Sequence, residues 1–246
     1  MSLPVHWVPS LGDAKVGSVV EVEGDEAHHA VAVRRLRVGE PVMLTDGLGR
    51  SAIGHVASTG KRAFSMTVDR VVEWPLPEPV VTVVQAIPKG NRGELAVEML
   101  TEVGVARVVP WAASRSVAVW KGDRAVRSVE RWRSTAREAS KQARRPWFAG
   151  VDDVASTADV TSLVAGADLA VVLHETGGTT FGSLSVPESG SVVVVVGPEG
   201  GLTDEELEAF NATGAHVVRL GLEVLRTSTA GVAAVAALLS RTQRWG

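Results

Sequence analysis

Hydrophobic and polar positions follow one pattern in the first third of the chain and another in the rest. In the first third, short segments rich in β-branched residues alternate with turn-forming glycines, which is typical of strands joined by tight turns. The segment Asp25–Arg35 is predicted to form a short helix, with Asp25 as its cap. These elements indicate a small barrel or sandwich over residues 1–73. The predicted strands are Ser18–Glu23, Pro41–Thr45 and Ala63–Val72.

After residues 74–79, a linker with three prolines, apolar strands alternate with helical segments. Parallel strands that are covered by helices on both faces are apolar throughout, so this alternation predicts an α/β domain over residues 80–246. The predicted strands are Val80–Ile87, Val105–Pro110, Asp168–Leu173, Ser191–Val196 and His216–Leu220. The predicted helices are Glu94–Val103 (which Gly104 ends), Asp123–Arg144, Asp204–Thr213 and Ser228–Arg244.

Composition excludes several classes of protein. The 246 residues contain no cysteine, which excludes disulfides, thiolate catalysis and cysteine-ligated metal sites. The densest apolar run, Val192–Val196, is far shorter than the roughly 20 residues of a membrane helix, and the start of the chain does not resemble a signal peptide. The histidines show no metal-binding spacing, since His28 and His29 are adjacent. We therefore expect a cytoplasmic protein with no membrane partner and no metal.

Three glycine-containing segments follow the ends of predicted strands, and they are the candidate ligand site. Gly197–Gly201 (GPEGG) leads to a helix that Thr203 and Glu206 are predicted to start as a capping box. The segment Leu220–Gly231 leads to another helix, which Thr227 or Ser228 is predicted to cap, and the third segment is Leu173–Gly178. Ligands of open α/β sheets bind beyond the carboxyl ends of the strands, so one crevice for a small polar ligand with an adenine and a ribose is predicted. The alternative is that these glycines only serve turns that need a positive φ.

Charge is concentrated in one segment. Residues 121–145 hold nine basic and three acidic residues, a net charge of +6, whereas the whole chain has a net charge of −3. Such an excess is typical of phosphate contact, and the alternative is an ordinary solvated helix face. Arg34, Arg35 and Arg37 form a smaller cluster near the start of the chain.

The chain resembles the ribosomal RNA small-subunit methyltransferase E family, within the SPOUT class. The resemblance extends over nearly the whole chain and rests on an ordered set of motifs rather than on any single one. The motifs are Asp25–His29, Val33–Gly39, Asp46-Gly47, Pro88–Gly90, Thr101–Val105, Ser114–Ser116, Glu138–Arg145, Gly197–Gly201 and Leu220–Ala230.

This resemblance implies an N-terminal PUA-like β-barrel that binds RNA, followed by a trefoil-knotted α/β methyltransferase domain. It also implies a homodimer that uses S-adenosylmethionine (SAM) to methylate N3 of uridine 1498 in 16S rRNA of the small ribosomal subunit. The family commonly has Glu at the position of Ser228 in this chain.

Site residues follow from the strand ends, the charge and the resemblance together. Residues predicted to contact SAM are Leu173, His174, Glu175, Gly197, Pro198, Glu199, Gly200, Gly201, Leu220, Gly221, Leu225, Arg226, Thr227 and Ala230. A cation near the uracil oxygens would stabilise the anion formed when N3 loses its proton, and a carboxylate or imidazole would take that proton. The candidates are Arg115, Arg145 and Arg226 for the cation, and Glu199 and His174 for the proton acceptor. The predicted RNA contacts are Arg34, Arg35, Arg37, Lys121, Arg124, Arg131, Arg137, Lys141, Arg144 and Arg145.

Two other functions stay open at this point. One is a SPOUT methyltransferase that acts on a ribose 2′-hydroxyl of tRNA or 23S rRNA. The other is a non-catalytic RNA-binding relative, which Ser228 in place of the family Glu keeps open.

Overall fold

The structure is a computed structural model that describes residues 3–245. Met1, Ser2 and Gly246, which the predicted domains 1–73 and 80–246 include, lie outside the described residues. Contacts between residues divide the chain into two units. One unit contains the residues up to Leu76 together with Ser140–Phe148, and the other contains Pro77–Ala139 together with the residues from Ala149 onward. Nothing in the sequence pattern indicates that Ser140–Phe148 packs with the first unit.

The first unit is built on a five-stranded sheet. Its hydrogen-bonded order is β1-β3-β4-β5-β2, in which β1 and β3 are parallel and the other pairs are antiparallel. Side chains from the strands share one core, which includes Val22, Leu44, Phe64 and Met66. The strands are β1 (Val5–Trp7), β2 (Val19–Glu23), β3 (Pro41–Thr45), β4 (Arg50–Thr59) and β5 (Ala63–Glu73).

The helix of this unit is shorter than the sequence predicts. Helix α1 (Gly24–His28) continues as a π-helical turn only to Val33, and Arg35 lies in the left-handed region at φ 57°. The predicted cap at Asp25 is wrong, because Glu23 is at the N-cap position and no side chain caps the helix. Strand β4 was missing from the prediction, since two irregularities in its pairing with β5 interrupt the alternation of apolar and polar residues.

The second unit contains a seven-stranded sheet in which all strand pairs are parallel. Its order is β10-β12-β9-β11-β6-β7-β8. The strands are β6 (Val80–Ala86), β7 (Arg107–Trp111), β8 (Gly150–Val151), β9 (Leu169–Leu173), β10 (Thr179–Thr180), β11 (Ser191–Val196) and β12 (His216–Arg219). The helices after α1 are α2 (Arg92–Glu102), α3 (Asp123–Gln142), α4 (Thr157–Ala165), α5 (Asp204–Asn211) and α6 (Thr227–Leu239).

Helices cover both faces of this sheet, which is why its central strands are apolar throughout. Along β11, Val192, Val194 and Val196 belong to one core with side chains of α2, α3 and α6. The alternate residues Val193 and Val195 belong to a second core with side chains of α4 and α5. The predicted α/β layers are confirmed.

Some helix ends agree with the sequence-based prediction and others differ from it. Gly104 follows α2 at φ +99°, and Thr203 with Glu206 forms a capping box at α5, as predicted. The predicted cap of α6 is wrong, because Arg226 is at the N-cap position and the buried Thr227 and Ser228 are already helical. Helix α6 also ends five residues earlier than predicted, and α4 was not predicted.

Candidate active site

Three neighbouring strands of the second unit end at one edge of the sheet. Leu173 at the end of β9 pairs with Val196 of β11 on one side and with Val218 of β12 on the other. Since the strands are parallel, the segments that follow them, 174–178, 197–203 and 220–226, come together. They surround a cavity of about 480 Å³, a volume typical of small-ligand sites.

All fourteen residues predicted to contact SAM line this cavity, as do three of the four catalytic candidates, Arg115, Glu199 and Arg226. Arg145 is not among the described residues that line it, and its Nε donates to the Trp147 carbonyl at 2.9 Å in the first unit. The prediction missed seven lining residues. Most of them lie within or next to the predicted loops. Arg92 instead comes from the start of α2, two residues after the family motif Pro88–Gly90. The seven are Arg92, Val196, Leu202, Arg219, Leu222, Glu223 and Val224.

Glu206 fixes the wall formed by residues 197–203. Glu206 is buried, with 2% of its surface exposed. Its Oε2 accepts from the amide of Thr203 at 3.0 Å within the capping box. Its other oxygen accepts from the amide of Ser114 at 2.8 Å and from the hydroxyl of Thr157 at 3.4 Å. A helix cap therefore also binds the loop that carries Arg115.

Arg115 packs directly on this wall. Its Nη1 donates to the carbonyl of Leu202 at 2.9 Å. A Cβ atom at Gly200 would lie 3.0 Å from Cβ and 3.1 Å from the carbonyl oxygen of Arg115, so glycine at position 200 allows the two loops to pack closely. A larger residue at position 200 would therefore displace Arg115 as well as fill the cavity.

The acidic and imidazole groups of the cavity have local partners. Glu199 is exposed, and its Oε1 accepts from the amide of Lys89 at 3.2 Å. Nδ1 of His174 lies 2.9 Å from the hydroxyl oxygen of Thr176. Beside the cavity, hydrogen bonds from its own amide and from Thr203, with the charge of Arg115, lower the pKa of Glu205.

The basic residues predicted to contact RNA differ in their exposure and in their ion pairs. Arg34, Arg35 and Arg37 are exposed in the first unit, and Lys121, Arg124 and Arg131 are exposed in the second. Arg131 Nη1 lies 3.3 Å from Glu94 Oε1. Lys141 is a correction: it is buried, and its Nζ lies 2.8 Å from Glu26 Oε2, so it is not available to a phosphate. Arg137 is exposed, and Arg144 lies past the end of α3 at φ 54°.

Glu26 is the centre of a buried charge cluster in the first unit. Its Oε1 lies 3.2 Å from Nδ1 of His6, and its Oε2 binds Lys141. Burial opposes ionisation of the carboxyl, but the hydrogen bonds and charges of His6 and Lys141 outweigh it and lower the pKa of Glu26 to about 2. This carboxylate therefore joins α1 to the segment Ser140–Phe148.

Within residues 3–245, no helix is both long and apolar enough to cross a membrane. In the same residues, no group of three or more His, Asp or Glu side chains is arranged to hold a metal ion.

Comparison with known proteins relates this geometry to a family. Residues 75–239 match the family model of an RNA methyltransferase domain, and residues 22–68 match that of an RNA methyltransferase PUA domain. The chain is 42% identical to the ribosomal RNA small subunit methyltransferase E of Mycobacterium tuberculosis (strain CDC 1551 / Oshkosh), over 98% of this chain and 93% of that protein. This chain belongs to the ribosomal RNA small subunit methyltransferase E family.

A more distant member of the family and a solved structure support the same assignment. The enzyme of the same name from Bacillus subtilis (strain 168) is 31% identical, with 90% of each chain covered. The crystal structure of a ribosomal RNA small subunit methyltransferase E from Neisseria gonorrhoeae bound to S-adenosyl methionine superposes with a TM-score of 0.85 at 25% identity, covering 97% of this chain and 98% of that one. The predicted PUA-like and α/β methyltransferase domains are confirmed, and the trefoil knot stays a prediction.

Proposed function

We propose that this chain transfers a methyl group from SAM to N3 of a uridine in 16S rRNA, at the position numbered 1498 in the family. The observation that carries the proposal is the cavity at the ends of β9, β11 and β12, in a chain that belongs to this family. The SAM-bound gonococcal relative, which shares the fold over nearly its whole length, supports the choice of cofactor.

The residues around the cavity fit SAM in size and chemistry. Leu173, Leu225 and Ala230 offer apolar surface for an adenine ring, and the loop 197–201 offers backbone groups for polar atoms. The carboxylates of Glu175, Glu199 and Glu223 give the cavity an acidic component that suits a ligand with positive charge on sulfur and nitrogen. When bound, SAM supplies an activated methyl group whose leaving group is a neutral thioether.

The task left to the protein is to make uracil N3 nucleophilic. N3 carries an imide proton, and its loss leaves a negative charge shared with the two ring oxygens. Arg115 and Arg226 are the lining cations suited to stabilise this charge, and Arg115 is already oriented by its bond to the Leu202 carbonyl. Glu199 and His174 are the lining groups suited to accept the proton.

We also infer that the active form is a homodimer that holds RNA through the PUA domain and the exposed arginines of α3. Leu222 and Val224 are 82% and 83% exposed beside the cavity, and large apolar residues in such positions are typical of surfaces that a partner covers. Sedimentation at micromolar concentration tests this, and a monomer alone would contradict it.

A methylation assay tests the function. Small ribosomal subunits and free 16S rRNA from a strain that lacks the gene are incubated with the enzyme and SAM, and modified nucleosides are mapped by mass. We expect one N3-methyluridine. A 2′-O-methylnucleoside, or modification of tRNA or 23S rRNA instead, would show a different SPOUT reaction, and no product would favour a non-catalytic relative.

The cofactor site is tested by filling it. Ala230 lines the cavity on α6, so Ala230→Leu should weaken SAM binding by about tenfold or more, since the added side chain occupies ligand volume. Ala233 is also half-buried on α6 but does not line the cavity, which makes Ala233→Leu the matched control. Calorimetric titration with SAM measures both, and equal affinities would place the cofactor elsewhere.

The proton acceptor is identified by two separate variants, Glu199→Gln and His174→Asn. The acceptor's variant should lower kcat by about 100-fold or more, whereas SAM affinity stays within a few fold. Single-turnover rates over a pH series decide between them. If neither variant changes the rate, the proton leaves to another group or to water.

A further inference from the structure

A second cavity lies between α2 and α3 in the methyltransferase unit. It has a volume of about 270 Å³, and its walls come from the first turn of α2 and the first half of α3. We call it the α2–α3 cavity. The residues that matter here are Glu94, Trp120, Arg124, Arg127, Arg131 and Trp132.

Three arginines line the α2–α3 cavity. Arg124, Arg127 and Arg131 are spaced by three and four residues, which puts them on one face of α3. Glu94 is the acidic residue of the lining, so the formal charges of the residues around the α2–α3 cavity sum to +2. Glu94 bonds to Arg131, whereas within the described residues the guanidinium groups of Arg124 and Arg127 have no ion pair and no hydrogen bond to a protein group. The guanidinium groups of Arg124 and Arg127 are therefore available to an external anion.

The cavity has a rigid aromatic wall. Trp132 is 1% exposed, and Trp120 packs edge-on against it with ring centroids 5.0 Å apart. Within residues 3–245, no side chain caps the start of α2 beside the cavity, and the carboxylate in its first turn, that of Glu94, bonds to Arg131. The uncapped amides of this turn suit a negatively charged group, whereas the two indoles only give the cavity its shape.

The position of the cavity connects it to the active site. Arg92 lines the SAM cavity, and its neighbours Gly93 and Glu94 line the α2–α3 cavity, so the first turn of α2 contributes to both. Just before that turn, the amide of Lys89 bonds to Glu199 in the SAM cavity. An RNA strand that delivers its base to the SAM cavity would therefore have backbone phosphates close to α2.

We propose that the α2–α3 cavity binds a phosphate group of the RNA strand that carries the target uridine, through Arg124 and Arg127. This inference rests on the proposed function and assigns one defined contact within it. Two guanidinium groups on one phosphate give charge-assisted hydrogen bonds and fix the strand beside the SAM cavity. The same chemistry suits a free phosphate or a mononucleotide, which the test separates.

The test is the double variant Arg124→Gln with Arg127→Gln, in the full-length protein. Both residues are exposed and glutamine is a good helix former, so the fold should be retained. We expect its affinity for 16S rRNA at 0.15 M salt to fall about tenfold and the slope of log affinity against log salt to decrease by about 0.7, the value for one phosphate of a single strand. SAM affinity should not change, because neither residue lines the SAM cavity.

The control removes the same charge elsewhere in the same unit. Arg107 and Arg133 line a different cavity with Asp152 and Asp153, so Arg107→Gln with Arg133→Gln tests net charge alone. An unchanged rRNA affinity in the Arg124/Arg127 variant, or an equal loss in the control, would overturn the proposal.

Calorimetry with inorganic phosphate and with AMP separates the possible sources of the anion. Submillimolar binding of either one to the parent, lost in the Arg124/Arg127 variant whose rRNA affinity is unchanged, would show a free-anion site instead. If the parent binds rRNA but methylates none of it, the proposed function fails, whereas the phosphate contact is still decided by the binding data.

Discussion

Two carboxylates that are largely shielded from solvent, Glu26 in the first unit and Glu206 in the second, differ in the kind of group that they bind. Glu26 is surrounded by basic side chains, His6 and Lys141, and its pKa is lowered to about 2. Glu206 accepts instead from uncharged donors, the amides of Thr203 and Ser114 and the hydroxyl of Thr157.

The kind of partner decides whether a carboxylate mainly stabilises the fold or mainly positions loops of the active site. A carboxylate that neutralises a buried cation contributes mainly free energy of folding, because its loss leaves that cation unpaired. A carboxylate that gathers amides from two loops fixes where those loops are, and here they are the loop of Arg115 and the wall of the SAM cavity. Glu26 should therefore matter to unfolding and Glu206 to the rate of the reaction.

The largest expected effect is that of Glu26→Gln on stability. The variant removes the negative charge that the Nζ of the buried Lys141 contacts at 2.8 Å, so we expect the free energy of unfolding to fall by about 3 kcal/mol. Asp25→Asn is the matched control: this neighbouring carboxylate is almost fully exposed and pairs with Arg62, and such surface pairs contribute about 0–1 kcal/mol. Urea unfolding followed by tryptophan fluorescence measures both, and equal losses would contradict the contrast.

Acid should remove the same contribution gradually. The folded pKa of Glu26 is depressed from its ordinary 4.5 to about 2, so the stabilisation is complete above pH 4.5 and is lost as the pH falls toward 2. The shift corresponds to a contribution of about 3 kcal/mol. The gap in unfolding free energy between the parent and Glu26→Gln should narrow over this range, and a gap independent of pH would count against the assignment.

A smaller effect is expected for Glu206→Gln, and on kcat rather than on stability. Glutamine keeps one acceptor oxygen and replaces the other by an NH2 group, so it can accept from Thr203 or from Ser114 but not from both. The wall of the cavity and the Arg115 loop are then no longer held together through one side chain. We expect kcat to fall about tenfold, which is about 1.4 kcal/mol of activation free energy.

The control is Asp159→Asn, which alters the capping box of α4. Among the described residues, the Asp159 carboxylate bonds to Ser156 alone. This variant should leave kcat unchanged. A reduced kcat in the control would show that any loosened cap slows the enzyme.

The smallest expected effect is that of Thr157→Val. Its hydroxyl accepts from the buried indole of Trp111 at 3.3 Å and lies 3.4 Å from Glu206. Losing it should cost about 1 kcal/mol of stability, since the indole N–H is left without an acceptor, and should change kcat less than twofold. A larger loss of kcat would extend the positioning network from Glu206 to α4.

Prediction from the sequence was most successful where local chemistry is sufficient. The Thr203–Glu206 capping box needs residues three positions apart, and the apolar β11 needs only its own composition; both were predicted. Lys141 was mistaken for an RNA contact because its partner Glu26 is more than a hundred positions away. Arg92 was missed for the same reason, since only the packing of α2 against the sheet places it beside the SAM cavity.

The sequence by itself therefore determined the two-part organisation, the parallel strands covered on both faces, the three loops around the cavity proposed to bind SAM, and the family. These follow from periodicity, turn chemistry and ordered motifs, all of which are local. Tertiary structure alone decided which of nine basic residues in 121–145 are paired, which are buried and which line a cavity. The same structure gave Glu206 its second role, because the partner that neutralises or orients a charge is set by packing between distant segments.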